Sequence, residues 1–129
     1  MRWMMRSKIH KAVVTEANLN YVGSITIDRD LIDMVGLKIG EKVQVVSNTS
    51  GSRLETYVIE GPRGSKAICM NGAASHLIGE GEEIIIIGYE LTDKDIEPQT
   101  ILVDKHNNFV QYLQESYEMN REIAVDSFG

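Results

Sequence analysis

The chain has 129 residues, 43% of them hydrophobic and 25% charged, and its 13 Lys and Arg against 19 Asp and Glu give a formal charge of −6. This suits one globular domain able to build a core without disulfides or a structural metal, and it excludes disorder and collagen-like repeats. The negative sum disfavours phosphate-backbone binding, the single Cys69 excludes an intrachain bridge, and the longest aliphatic run, Ile84 to Ile87, is far short of the ~20 residues of a membrane span.

The opening segment MRWMMRSKIHKAVV is interrupted by Arg6, Lys8, His10 and Lys11. It therefore lacks the apolar core of a secretory signal, and a reducing cytoplasm is the expected location. Charge is uneven: residues 1–24 carry Arg2, Arg6, Lys8 and Lys11 against Glu16, while residues 104–129 carry two bases against five acids. A small basic pocket for an acidic metabolite remains compatible with the overall sign.

Alternating β-branched residues predict strands near 8–15, 24–28, 42–48, 53–60, 66–71 and 82–90. Asn48-Thr49-Ser50-Gly51-Ser52, Gly61-Pro62-Arg63-Gly64 and Gly79-Glu80-Gly81 supply reversals between them. A short helix is expected over Leu31, Ile32, Met34 and Val35, capped by Asp28 or Asp30 and ended by Gly36, and a second over Gly72 to Leu77. The two helices belong to an internal repeat. Ile25-Thr26-Ile27-Asp28, helix, Gly40-Glu41-Lys42-Val43 has the order of Ile68-Cys69-Met70-Asn71, helix, Gly81-Glu82-Glu83-Ile84. Two such halves can cover each other's edges, which predicts a pseudo-symmetric closed barrel. Beyond a barrel of residues 1–103, Phe109, Tyr112, Leu113, Ser116 and Tyr117 fall at helical spacing, so 104–129 is expected as a docked helix or a flexible tail.

Gly-Ser occurs at 23–24, 51–52 and 64–65, and each reads first as a turn. Gly23-Ser24 differs because it leads straight into the strand Ile25-Thr26-Ile27. A glycine carbonyl open to close approach, followed by a serine hydroxyl, is the arrangement of an N-to-O acyl shift. Lys8 and His10 share a strand face, as do Arg53, Glu55 and Tyr57, whereas alternation turns Thr56 to the opposite side. Asn71-Gly72-Ala73-Ala74 joins a strand to a helix through small residues, which suits either close packing or backbone amides open to an anion. Cys69, His76 and His106 match no common zinc spacing, so no metal is expected. The chain has no Walker or Rossmann glycine loop and no basic, aromatic stripe for nucleic acid.

Taken in order, Lys8-Ile9-His10, Thr15, Asn20-Tyr21-Val22-Gly23-Ser24-Ile25-Thr26-Ile27-Asp28, Arg53-Leu54-Glu55-Thr56-Tyr57, Arg63-Gly64-Ser65 and Asn71-Gly72-Ala73-Ala74 resemble the pyruvoyl-dependent aspartate 1-decarboxylases, which make β-alanine for pantothenate. The resemblance implies a mainly β fold, a six-stranded double-psi β-barrel with short helices, in a homotetramer with active sites at subunit interfaces. It further implies self-cleavage between Gly23 and Ser24 into residues 1–23 and 24–129, with Ser24 becoming a covalent pyruvoyl group that captures L-aspartate as a Schiff base. Thr56 would assist processing. Lys8 and Arg53 would hold the two substrate carboxylates, and Tyr57 would return a proton to the carbanion. Thr56, Asn71, Gly72, Ala73 and Ala74 would complete the substrate pocket, with His10 and Tyr21 in support. The resemblance leaves open whether maturation is spontaneous or needs an accessory maturation factor. Val46 stands where some members carry tryptophan.

Two other readings start from the same residues. Residues 25–46 are similar to swapped-hairpin DNA-binding regulators of bacteria, but Arg29, Lys38 and Lys42 against Asp28, Asp30, Asp33 and Glu41 leave that unit at −1, poor for DNA. The other is a non-catalytic barrel that stays unprocessed.

Overall fold

The computed structural model describes residues 1–114. Nine strands and one α-helix follow in the order β1 (Arg2–Val13), β2 (Glu16–Asn18), β3 (Ser24–Asp28), α1 (Arg29–Val35), β4 (Lys42–Ser47), β5 (Arg53–Gly61), β6 (Ile68–Asn71), a 3-10 turn (Gly72–His76), β7 (Glu83–Thr92), β8 (Gln99–Val103) and β9 (Phe109–Leu113). All six expected strands are present. The first begins earlier, at Arg2, because β7 continues to Thr92 and offers it a partner along its whole length.

The expected repeat governs the pairing. β5 runs antiparallel to β4 and parallel to β3, while the β1–β2 stretch runs antiparallel to β7 and parallel to β6. Two antiparallel ladders, β3 with β6 and β4 with β7, join the halves across the pseudo-twofold. Following β6–β3–β5–β4–β7–β1 and on into β2 returns to β6, so the ring closes and its six strands form the double-psi barrel. Ile9, Ile25, Ile27, Val45, Val58, Ile68, Met70, Ile84 and Ile86 fill the interior and are fully buried. Their alternation along each strand leaves the intervening residues for the outer face, where Ser24, Tyr57 and Asn71 lie.

α1 is closed at both ends by the residues the sequence offers. Of the two candidate caps it is Asp28 that serves, accepting from the Asp30 N–H at 2.9 Å, and Gly36 at φ +71° supplies the left-handed C-terminus. The second helix is a single 3-10 turn.

The helical reading of 109–113 is corrected: Phe109–Leu113 is a strand, antiparallel to β8. Over five residues, Phe, Val, Tyr and Leu satisfy either period. The open edge of β8, itself parallel to β1, decides in favour of the strand. Asn107 makes the reversal at φ +62°, and its side chain accepts from Val13 N at 2.7 Å and donates to Val13 O and Lys66 O at 2.8 and 3.0 Å. Ser116 and Tyr117 lie outside the described residues. Among the described residues no helix is long and apolar enough to cross a membrane.

Candidate active site

Ser24 opens β3, directly opposite Asn71, the last residue of β6. Its hydroxyl is fully buried, donates to the Val22 carbonyl at 2.9 Å and accepts from Asn71 Nδ2 at 3.0 Å. The same Asn71 nitrogen lies 2.9 Å from Thr26 Oγ1. Thr26 escaped the list of candidates drawn from the sequence, although its place two residues after Ser24 on one strand puts both on one face.

The scissile candidate is pinned from the other side by Gly72, at φ +68°. A Cβ there would stand 2.7 Å from Gly23 Cα, 2.9 Å from Gly23 N and 3.1 Å from Tyr21 O, so only glycine lets the 3-10 turn press against the 21–23 backbone. Ala73 beside it is exposed and Ala74 half-buried. Tyr21 and Val22 are exposed, at 53% and 69%.

β3 and β5 run parallel from the pair Ile25–Val58, and continuing that register by one residue sets Ser24 beside Tyr57. Neighbouring strands are about 4.8 Å apart, so Asn71, Ser24 and Tyr57 form one row across the outer face. The row continues to Lys42, the β4 partner of Tyr57.

Three expected members stand elsewhere in this chain. Arg53 is exposed on the same face but four residues from Tyr57, about 13 Å along the strand. Along the ladders from β5, Lys8 is reached through Glu55, Gln44 and Ile87, which is about 14 Å of sheet. His10 lies further along β1, beside Leu102 of β8, and both Lys8 and His10 are buried. Thr56 pairs with Val43 in a ladder without register shift, so no bulge carries it over to the face of Arg53 and Tyr57. Between these groups, Lys42, Gln44, Glu55, Tyr89 and Trp3 line a groove of about 530 Å³ on the β5–β4–β7–β1 face.

Burial pushes the Cys69 thiol up from its ordinary range, a nearby Thr15 hydroxyl opposes the shift, and the Glu16 carboxylate adds to it.

The Aspartate decarboxylase family model matches residues 1–110, nearly the whole described chain. The chain belongs to the aspartate decarboxylase family. An aspartate 1-decarboxylase of Bacillus velezensis is 53% identical over 116 residues, covering 87% of this chain and 91% of its own. One from Desulfitobacterium hafniense is 54% identical over 118 residues, covering 88% and 93%. Among solved structures, the computationally designed msDPBB_sym2 protein aligns with a TM-score of 0.42 and 16% identity over 67% of this chain and 99% of that one. The match to aspartate decarboxylases runs from β1 into β9 and so covers far more than the 25–46 unit on which the DNA-binding reading rested.

Proposed function

We propose that the protein decarboxylates L-aspartate to β-alanine and CO2, the step that supplies pantothenate synthesis, after cutting its own chain between Gly23 and Ser24. The observation that carries this is the buried Ser24 hydroxyl, held between the Val22 carbonyl and the Asn71 amide on a bond that Gly72 clamps, in a chain of this family.

Maturation uses the chain's own atoms. Ser24 Oγ attacks the Gly23 carbonyl carbon, the C–N bond to Ser24 breaks, and the freed amine takes the hydroxyl proton, leaving an ester. Loss of the Ser24 Cα proton then expels the Gly23 carboxylate and leaves a dehydroalanine. Water replaces its nitrogen, which departs as ammonia, and residue 24 ends as a pyruvoyl ketone heading residues 24–129.

The residues fit that group. Asn71 Nδ2 is a donor and suits a carbonyl oxygen as well as a hydroxyl, and the missing Cβ of Gly72 keeps the backbone beside it open. When present, the pyruvoyl ketone supplies the electron sink for the pair released with CO2.

Tyr57, one strand away from residue 24, is placed to hand a proton to the substrate carbon that loses its carboxylate. Arg53 would grip one substrate carboxylate through its fork of N–H donors and Lys8 would hold the other as a point charge. Neither lies beside Ser24 of its own chain, which supports a site completed by a second copy, as in a homotetramer with sites at its interfaces. Exposed Trp3, Tyr21, Val22, Tyr57, Tyr89 and Leu91 on and around this face supply apolar surface for such a contact. Thr56, next to Tyr57 on the other face of β5, would assist at the scissile carbonyl during processing, and His10 would help orient the substrate from β1. A cytoplasmic setting fits the free thiol of Cys69.

Intact-mass spectrometry of the purified protein, with borohydride and aspartate added, tests the reading. Two fragments divided after residue 23, the larger carrying the trapped substrate or its decarboxylated product, are expected. A single unmodified chain that makes no β-alanine would overturn it.

A further inference from the structure

We propose that Thr26 is a positioning residue for the self-cleavage at residue 24: its hydroxyl accepts from the Asn71 carboxamide and so anchors that amide nitrogen against Ser24 Oγ. The inference rests on the self-processing reading above.

The Ser24 hydroxyl has one proton, and it is committed to the Val22 carbonyl at 2.9 Å. Towards Asn71 it can only accept, so the atom presented to it must be a donor. An asparagine amide turned by half a rotation would present its oxygen, two acceptors would face each other in a buried site, and the hydroxyl would lose its only N–H contact. The same amide nitrogen is held in place by a second bond, to Thr26 Oγ1 at 2.9 Å, against 3.0 Å to Ser24 Oγ. In the attack itself the serine oxygen sheds its proton, and an N–H already aimed at it stabilises the charge that develops there.

Thr26 is in turn held in one rotamer. It sits between Ile59 of β5 and Cys69 of β6, and its γ2 methyl occupies the space that Gly61 leaves, 3.1 Å from where a Cβ on that glycine would be. A β-branched side chain with its methyl fixed has its hydroxyl fixed as well. Gly61, Thr26, Asn71 and Ser24 thus form a chain of positions ending on the nucleophile. Thr26 touches no reacting atom itself.

The test separates hydroxyl from packing. Full-length protein is made by cell-free translation, and the appearance of the 24–129 fragment is timed by mass spectrometry for the wild type, Thr26→Ser and Thr26→Val. Thr26→Ser keeps the hydroxyl and loses the methyl, and is expected to cleave at close to the wild-type rate. Thr26→Val keeps the methyl and is expected to cleave about tenfold more slowly, the kinetic equivalent of one neutral hydrogen bond. Thermal melts are expected to rank the two variants the other way, because valine preserves the contact with Gly61. If valine fails to fold, Thr26→Ala compared with Thr26→Ser differs in the hydroxyl alone. Wild-type cleavage rates in Thr26→Val, or slowing in Thr26→Ser equal to that in Thr26→Val, would overturn the role. A wild-type chain that never cleaves would instead overturn the processing reading, and this role with it.

Discussion

At the scale of single residues, the site depends on what is absent as much as on what is present. Gly72 combines a left-handed φ of +68° with a backbone 2.7 Å from where a Cβ would stand. Gly72→Ala should therefore lose at least about 2 kcal/mol of stability, from left-handed strain and the contact with Gly23, and leave most of the chain uncut. Urea denaturation together with intact mass checks both, and wild-type values for either would show that the 21–23 loop yields freely. Tyr57→Phe removes one oxygen from a side chain that is 38% exposed. The variant should self-cleave normally yet lose most of its turnover, read as β-alanine formed per cleaved chain. Normal turnover would remove Tyr57 as the proton donor.

At the scale of elements, one carboxylate ties three segments together. Asp28 is fully buried at the junction of β3 and α1, and accepts from the Asp30, Gly64 and Lys66 N–H groups at 2.9, 3.0 and 2.9 Å. Four residues after Ser24, it anchors the far end of the strand that Ser24 opens to the turn after β5. Asp28→Ala should cost about 3 kcal/mol by leaving buried N–H groups unpaired, seen as a lower urea midpoint; a loss under about 1 kcal/mol would mean that water replaces the carboxylate. The turn before β7 is built on the same principle. Glu82 accepts from the Ser47 hydroxyl and the Gly79 N–H, both at 2.6 Å, and these bonds hold its carboxyl below the usual glutamate range. A carboxyl lowered in the folded state contributes stability above its unfolded value and loses it as pH falls through the folded one. Glu82→Gln should therefore flatten the acid limb of a stability–pH curve below about pH 4.3 and leave its shape near neutrality unchanged, and an unchanged acid limb would reject this assignment.

At the scale of the whole molecule, the barrel divides the expected site. Its ladders bring Ser24, Tyr57, Asn71 and Gly72 together, set Arg53 about 13 Å along β5 from Tyr57 and leave Lys8 about 14 Å of sheet from Glu55 of β5. If the site is shared between copies in this way, Ser24→Ala and Arg53→Ala should each be inactive alone, yet recover part of the wild-type decarboxylation when co-expressed, because some interfaces then join an intact Ser24 from one chain to an intact Arg53 from the other. Absence of recovery in verified mixed assemblies would place Ser24 and Arg53 of one site on a single chain. The surface ion pairs add little to this picture. Arg63 bridges Asp30 and Asp33 at 2.9 and 2.8 Å, which lowers the Asp33 carboxyl without burying it.

Much of this was legible in the sequence because it is local or repeated. Alternation gave the six barrel strands, Asp28 and Gly36 marked the ends of α1, the duplicated strand–helix–strand unit implied the closed ring, and Gly23-Ser24 leading into β3 marked the candidate cleavage site. Strand partners decided what local pattern left open. Phe109–Leu113 became a strand because β8 offered an edge, and Thr26 gained a role because β3 meets β6 in the register that sets Ser24 against Asn71. Face and period follow from neighbours one to four residues apart, whereas register and reach depend on segments tens of residues away, which no local pattern specifies. The sequence thus determined which residues are candidates for the chemistry, and the tertiary structure decided which of them one chain brings together.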